Sequence, residues 1–327
     1  MRSNYPMSYK PISRIYIVAY KCNVHFARIC IASIRYWYPD IPIYLIKDEA
    51  AGVFDTAHLE KHWNVQITKN TTPFRQGLYN AMAPFFQKFE GRGLVIDPDI
   101  VFIGKVLDKL EKVEEDYIVH PEYFDGPNHP EVSNTYYDYS KLKNFDPDYQ
   151  FPGYCFNAGQ IVFESGKIEL DEVLKLFDVG TDSIKTKYPE VFRNWDQGIW
   201  NYIFNKKEQA QQLTIGKIEF MVWPSKAFAK SHSIDLKNIK DNENTYPVMM
   251  HWAGITGLGF ISLMTYSKIL RFFRNYYYSK IPRSRFLWLR DHITFLKMVF
   301  FKVLMAKKDS RYIDSLIRRF INKNSAG

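Results

Sequence analysis

Asp97 and Asp99 stand two residues apart in Gly93-Leu94-Val95-Ile96-Asp97-Pro98-Asp99-Ile100-Val101-Phe102-Ile103-Gly104, an otherwise apolar run that reads as one buried strand. A carboxylate buried there without a partner would be strongly disfavoured, so the pair must face a cation or solvent. Pro98 fixes φ and removes a backbone donor, which makes the tripeptide a stiff extended turn, and side chains two apart can project to one side. Two oxygen donors on one rigid turn suit a hard divalent ion, Mg²⁺ or Mn²⁺, that also takes phosphate oxygens. Asp146-Pro147-Asp148 serves as an internal control: no strand pattern precedes it, and it reads as a plain turn.

The elements that must position this pair follow from hydrophobic periodicity. Arg14 to Tyr20 is a β-branched and aromatic strand, Asn23 to Tyr38 has helical spacing, and Ile41 to Asp48 is apolar again, which makes a β-α-β unit. Trp63 to Thr68 is a short strand, and Arg75 to Phe89 is helical with a break at Pro84. Strands alternating with helices imply an α/β fold whose sheet is covered on both faces and binds ligands beyond the carboxyl ends of its strands. The two aspartates lie at such an end.

Three later segments supply further parts. Phe151 to Glu164 carries the turn Asn157-Ala158-Gly159 ahead of an apolar strand. Asn194 to Phe204 sets Asp196 and Gln197 at the start of a helix. Tyr246 to Gly254 is an apolar strand ending in His251, followed by a glycine-containing loop. A D-x-D at a strand end, then F-N-A-G, then D-Q-x-x-x-N, then H-x-x-G, in that order over roughly residues 12 to 256, resembles the GT-A nucleotide-sugar glycosyltransferases, most closely glycosyltransferase family 8 and its relatives. The resemblance implies a GT-A domain over residues 1 to 260, with a mixed Rossmann-like sheet covered by helices. It also implies metal ligands Asp97, Asp99 and His251 for Mn²⁺ or Mg²⁺, and a nucleotide-sugar donor, UDP-hexose, with a glycan or lipid-linked acceptor. By motif, Asn157 and Ala158 border the sugar and acceptor sites, and Asp196 and Gln197 lie beside the donor sugar. The ends of the first two strands, at Tyr20 and Asp48, embrace the base and ribose. The Lys-Pro-Trp that usually follows the family's histidine is missing; Arg75, Lys226 or Lys230 are candidates to replace its charge.

For the chemistry, negative charge that develops on a departing diphosphate calls for a bridging cation in a site closed to water. If the anomeric centre inverts, Asp196 can act as the base on the acceptor hydroxyl; if it is retained, Asp196 and Gln197 orient the donor. Two alternatives from other classes are a haloacid-dehalogenase-type phosphatase using Asp97 and Asp99 in D-x-D-x-[TV], which lacks a later acidic pair here, and a non-catalytic nucleotide-binding GT-A scaffold. The polar, Tyr-rich stretch from 121 to 150 is too long for an ordinary connection and is expected to be a lid or an acceptor-binding loop.

Composition sets the surroundings. With 327 residues, 46% of them hydrophobic, the chain can bury a large core, and three isolated cysteines fit neither a disulfide framework nor a thiolate zinc site. The opening residues lack an apolar h-region, so a cytoplasmic protein is expected. The net charge of +9 is unevenly spread: residues 261 to 327 hold 15 Lys and Arg against 3 acids, leaving 29 against 32 for the rest. Ile269, Phe272, Phe273 and Tyr276 share one helical face, with Lys268, Arg271 and Arg274 on another, and Ile313, Leu316, Ile317, Phe320 and Ile321 repeat the pattern. No uncharged apolar span long enough for a transmembrane helix exists in this region. A basic amphipathic tail over 261 to 327 therefore reads as a peripheral attachment to an anionic cytosolic membrane face or, alternatively, as a helical subdomain packed on the core with its lysines solvated, and no nucleic-acid module accompanies the charge.

Overall fold

The computed structural model describes residues 10–48, 52–75, 77–180, 184–193, 196–240, 248–253, 261, 264–293 and 296. The chain opens with β1 (Ile12–Tyr20), α1 (Val24–Trp37), β2 (Ile43–Asp48), α2 (Ala57–Trp63) and β3 (Val65–Thr68), the alternation expected from periodicity. The next helix, Gly77–Phe86, is 3₁₀ rather than α, with Pro84 inside it. Proline cannot donate to an α ladder, so the tighter winding continues where an α-helix would break.

The apolar run from Gly93 to Gly104 is not one strand. It divides into β4 (Arg92–Ile96) and β5 (Ile100–Phe102), which belong to different sheets and are parted by Asp97-Pro98-Asp99. Beyond them come α3 (Val106–Leu110), β6 (Tyr117–Val119), β7 (Pro121–Tyr123), a π-helical turn Val132–Tyr136, α4 (Tyr139–Phe145), β8 (Tyr154–Phe156), β9 (Gln160–Glu164), α5 (Leu170–Leu174), β10 (Phe177–Val179) and β11 (Ile184–Thr186). The remaining elements are α6 (Asp196–Gln209), β12 (Ile215–Lys217), β13 (Met221–Val222), α7 (Lys226–Ser231), α8 (Leu236–Lys240), β14 (Met249–His251) and α9 (Ser267–Ser279).

The main sheet runs β12-β6-β9-β4-β1-β2-β3. Its strands are parallel except β9, which is antiparallel to both β4 and β6. Both faces are buried. Ile15, Ile17, Leu94, Ile96 and Val162 enter one core with α1, while Tyr16, Val95, Ile161 and Phe163 point into a second core with Trp200 and Phe204 of α6. Double coverage is why these strands read as continuous apolar runs instead of alternating ones. A smaller sheet, β13-β14-β5, stands beside the end of β4.

The stretch from 121 to 150 is mostly built into the second core. Tyr136, Tyr137 and Tyr149 are buried there, and the Tyr137 and Tyr149 hydroxyls are 3.1 Å apart. Asp146-Pro147-Asp148 is the turn after α4, with Asp146 accepting a hydrogen bond from Tyr202 at 2.7 Å.

Helix α9 is amphipathic as its pattern requires, but its apolar face is covered by protein. Ile269, Leu270, Phe273 and Tyr277 lie in the core shared with β1 and α1, and Trp63 stacks on Tyr277 at 5.3 Å. The core therefore extends past residue 260. A further helical segment, 284–293, is tethered to α1 by an ion pair of Asp291 with Arg28 and to α9 by a hydrogen bond that Tyr278 donates to Asp291. The expected helix around Ile313 to Ile321 lies outside the described residues.

Gly198 shows how tightly the second core closes. A Cβ there would stand 2.0 Å from the Tyr136 carbonyl oxygen, whereas one at Gly126 would meet nothing within 4 Å. Gly198→Ala is expected to lower the unfolding free energy by about 1–3 kcal/mol in chemical denaturation, the range for overpacking, with Gly126→Ala close to wild type.

Candidate active site

The site is assembled by strand pairing. β4 and β9 pair with Ile96 opposite Gln160, and one residue further the Asp97 N–H donates to the Gly159 carbonyl at 2.7 Å. This pairing holds the Asn157-Ala158-Gly159 turn against the end of β4. The aspartate turn closes with Ile100 N–H donating to the Asp97 carbonyl at 3.2 Å, which puts Pro98 at the second position of a β-turn, where its φ fits. β5 then pairs with β14, setting His251 opposite Ile100, and Trp252 N–H donates to the Asp99 carbonyl at 3.1 Å.

Asp97, Asp99 and His251 consequently meet, each offering one ligand atom, all within 4.8 Å of one another. His251 Nε2 lies 3.3 Å from Asp99 Oδ1 and 3.5 Å from Asp97 Oδ2, is buried, and makes no hydrogen bond. Two carboxylates and one imidazole nitrogen facing one another form a donor set for a divalent ion of the Mn²⁺ or Mg²⁺ class, and the orphaned nitrogen fits such an ion. No side chain can stand at Gly159, since its Cβ would come 2.4 Å from Asp97 Oδ2 and 2.7 Å from His251 Cε1.

Helix α6 begins beside this group. Gln197 Oε1 accepts from Asn157 Nδ2 at 2.8 Å and from the Ala158 N–H at 3.3 Å, and Gln197 Nε2 points to the Thr135 carbonyl. Asn201, one turn on, locks α6 to β8 by accepting from Phe156 N–H at 2.9 Å and donating to its carbonyl at 2.8 Å. Asp196 is buried at the helix start. Burial, and secondarily the charge of Asp97, push its carboxyl up to about 8, against the pull of its own and the Gln197 backbone N–H. Asp97 is raised to about 7 by desolvation in the cleft and by Asp99, with His251 opposing. Its side chain still has 42% of its surface open to the cleft, where a ligand can reach it.

Tyr20 and Asp48 end β1 and β2 in register with each other, and Asp48 is buried. The Tyr20 phenol is raised chiefly by burial and also by Cys22, Asp99 and Asp97, so it borders the same cleft. Arg75 is not drawn in. It is exposed, its Nε donates to the Thr72 carbonyl at 3.0 Å, and it has no hydrogen bond or ion pair to the cluster among the described residues. Lys226 and Lys230 are exposed on α7. Residues that the motifs did not single out are also present. Trp223 stacks on the His251 ring at 5.0 Å, Gln160 Oε1 contacts His251 Nδ1 at 3.2 Å, and Cys30 of α1 is buried close enough for Asp99 and Asp97 to raise its thiol further. A polar residue opening the apolar run Gln160-Ile161-Val162-Phe163 is a signal that could have marked Gln160; nothing local marks Trp223.

The chain is similar in structure to the galactosyltransferase LgtC, solved in complex with donor and acceptor sugar analogs, with a TM-score of 0.52 and 13% identity over 80% of this chain and 95% of that one. It has a GT-A fold. The same fold likeness extends to the bifunctional glycosyltransferase WbbM, with a TM-score of 0.53 and 13% identity over 89% of this chain and 53% of that one. No family model and no curated protein matches the sequence. In this GT-A fold the carboxyl ends of the parallel strands β1, β2 and β4 carry Tyr20, Asp48 and Asp97, the edge at which an open α/β sheet takes its ligands.

The raised carboxyls make stability pH-dependent. Asp196 is pushed up to about 8 from an ordinary 3.8, and Asp97 is raised in the same direction, so the folded state binds more protons than the unfolded chain above about pH 4 and stability falls as pH rises toward 8. In metal-free protein the melting temperature is expected to drop between about pH 5 and pH 8.5. Asp196→Asn should melt near wild type at the acid end, melt higher at the alkaline end, and show a shallower slope. Parallel slopes would remove the assignment.

Proposed function

We propose that the chain is a metal-dependent glycosyltransferase that moves a hexose from a nucleotide diphosphate donor, UDP-hexose, to a glycan or lipid-linked acceptor at the cytosolic face of a membrane. The observation that carries the reading is the convergence of Asp97, Asp99 and His251 at the carboxyl edge of a GT-A sheet, with Asp196, Gln197 and Asn157 alongside. Asp97, Asp99 and His251 would hold the divalent ion, which would supply positive charge to a diphosphate leaving group that departs with the electron pair of its bond to the anomeric carbon.

The chain's own residues do the rest. Tyr20 offers a ring to the base, and Asp48 offers acceptors to the ribose. The Gln197 amide is held by Asn157, Ala158 and Thr135, so it can orient the donor sugar without rearranging. Asp196 faces the same space with a carboxyl poised near neutrality, fit to take the acceptor hydroxyl's proton or to steady a positive anomeric centre. The phosphatase alternative is less well supported, because among the described residues a histidine from another sheet, and no second acidic pair, completes the cluster.

The membrane part of the reading rests on residues 284–293 and 296. Phe286, Leu289, Ile293 and Leu296 are exposed at spacings of three and four along one helical line, Phe286 by 79%, with Arg285 and Arg290 also exposed. Apolar side chains flanked by guanidinium groups match an interface of acyl chains and anionic headgroups. Among the described residues no helix is long and apolar enough to cross a membrane.

Calorimetric titration of UDP is expected to show binding that requires Mn²⁺ and weakens by about tenfold or more in Asp99→Asn, the general scale for lost metal-site groups. Binding that ignores both the metal and the substitution would leave a nucleotide-binding scaffold. For the tail, sedimentation with vesicles containing phosphatidylglycerol should pull down the wild type, less so at high salt, and much less of a Phe286→Asp/Leu289→Asp double variant. Equal pull-down of both proteins would sink the membrane assignment.

A further inference from the structure

Gln160 is out of place in its own strand. It is wholly buried at the head of β9, between β4 and the turn that ends at Gly159, and is followed by Ile161, Val162 and Phe163. A buried amide is disfavoured unless it is hydrogen-bonded, so a position of this kind needs an explanation. One side-chain hydrogen bond is seen for it among the described residues: Oε1 lies 3.2 Å from His251 Nδ1, and Nε2 has no hydrogen-bond partner.

We infer that Gln160 is a positioning residue that sets the tautomer of His251, holding the proton on Nδ1 so that Nε2 presents a lone pair between Asp97 and Asp99. The inference rests on the reading of these three residues as metal ligands. A neutral imidazole has one N–H and one acceptor nitrogen, and the hydrogen bond made by one nitrogen decides the state of the other. With Oε1 accepting from Nδ1–H, Nε2 is left bare against two carboxylates, an arrangement that repels until a cation enters and then becomes a ligand set. The ring has no freedom to escape it. Trp223 stacks on the ring face at 5.0 Å, and Gly159 packs so closely that a Cβ would fall 2.7 Å from His251 Cε1. The acceptor is also neutral. A third carboxylate at this position would favour a charged imidazolium, which cannot ligate, whereas an amide oxygen orients the ring without adding charge.

The test is a long-range ¹H–¹⁵N spectrum of the full, metal-free chain labelled on its 8 histidines, recorded at about pH 8.5, above the ordinary histidine range. His251 is assigned by the signals lost in His251→Asn. The wild type is expected to carry the proton on Nδ1. Gln160→Met, similar in length and without an acceptor, should move the proton toward Nε2 and weaken Mn²⁺ binding, read from the electron paramagnetic signal of free Mn²⁺, by about 10- to 100-fold. An Nε2–H signal in the wild type would mean that Gln160 turns its NH₂ to the ring, and would overturn the inference without any variant. Unchanged tautomer and unchanged Mn²⁺ affinity in Gln160→Met would overturn it too. An Nδ1–H signal that depends on Gln160 in a protein that binds no Mn²⁺ would support the inference and overturn the metal reading instead.

Discussion

Like-charged carboxylates withdrawn from water govern this molecule's centre. Asp97 and Asp99 share a turn, and Asp196 is pushed up to about 8 by its burial and, secondarily, by the charge of Asp97. Such a grouping persists in a folded chain only if the surrounding structure prevents the side chains from turning away. Pro98 stiffens the turn, the Asp97 N–H and the Asp99 carbonyl are tied to two different strands, and Cys30 and the Tyr20 ring wall the cleft. The grouping is therefore fixed by backbone pairing and packing rather than by any attraction among its own side chains.

The topology supplies that restraint economically. The turn lies where a strand leaves the main sheet and enters the small one, so each end of three residues is anchored by a different ladder. β9, the reversed strand, delivers Asn157 and Gly159 from one side, and β14 delivers His251 from the other. α6 completes the ring because Asn201 clamps it to β8, the strand that feeds the same turn. A shift of one residue in any of these registers would turn the motif residues toward the opposite face of their sheet.

Much of this was legible in the sequence because it is local. Strand and helix periods located β1, α1, β2, β3, β9 and β14, and the order D-x-D, F-N-A-G, D-Q, H-W-A-G marked the residues that now meet. The split of Gly93 to Gly104 between two sheets was not legible. Apolar composition is the same whichever partner a strand takes, and only the long-range pairing with β9 or β14 separates the two halves. Gln160 and Trp223 escaped for a related reason. Their roles exist only through contact with His251, which is distant in sequence, and neither sits in a motif.

The C-terminal helices make the same point about surfaces. α9 and the segment 284–293 both alternate aromatic or aliphatic residues with arginine and lysine, and by pattern alone both resemble membrane-surface helices. Yet Phe273 and Tyr277 are buried against α1 and Trp63, while Phe286 and Leu289 face outward. An amphipathic period says that a face must be covered, not what covers it. The difference is set by Asp291. Its carboxylate, paired with the buried Arg28 and with Tyr278, anchors the second helix beside the buried Leu287, and Phe286, Leu289 and Ile293 are left outside. One helix therefore spends its apolar face on the core, while the next, fastened by a charge pair and one buried leucine, keeps an exposed apolar line, and the periods of the two do not tell them apart.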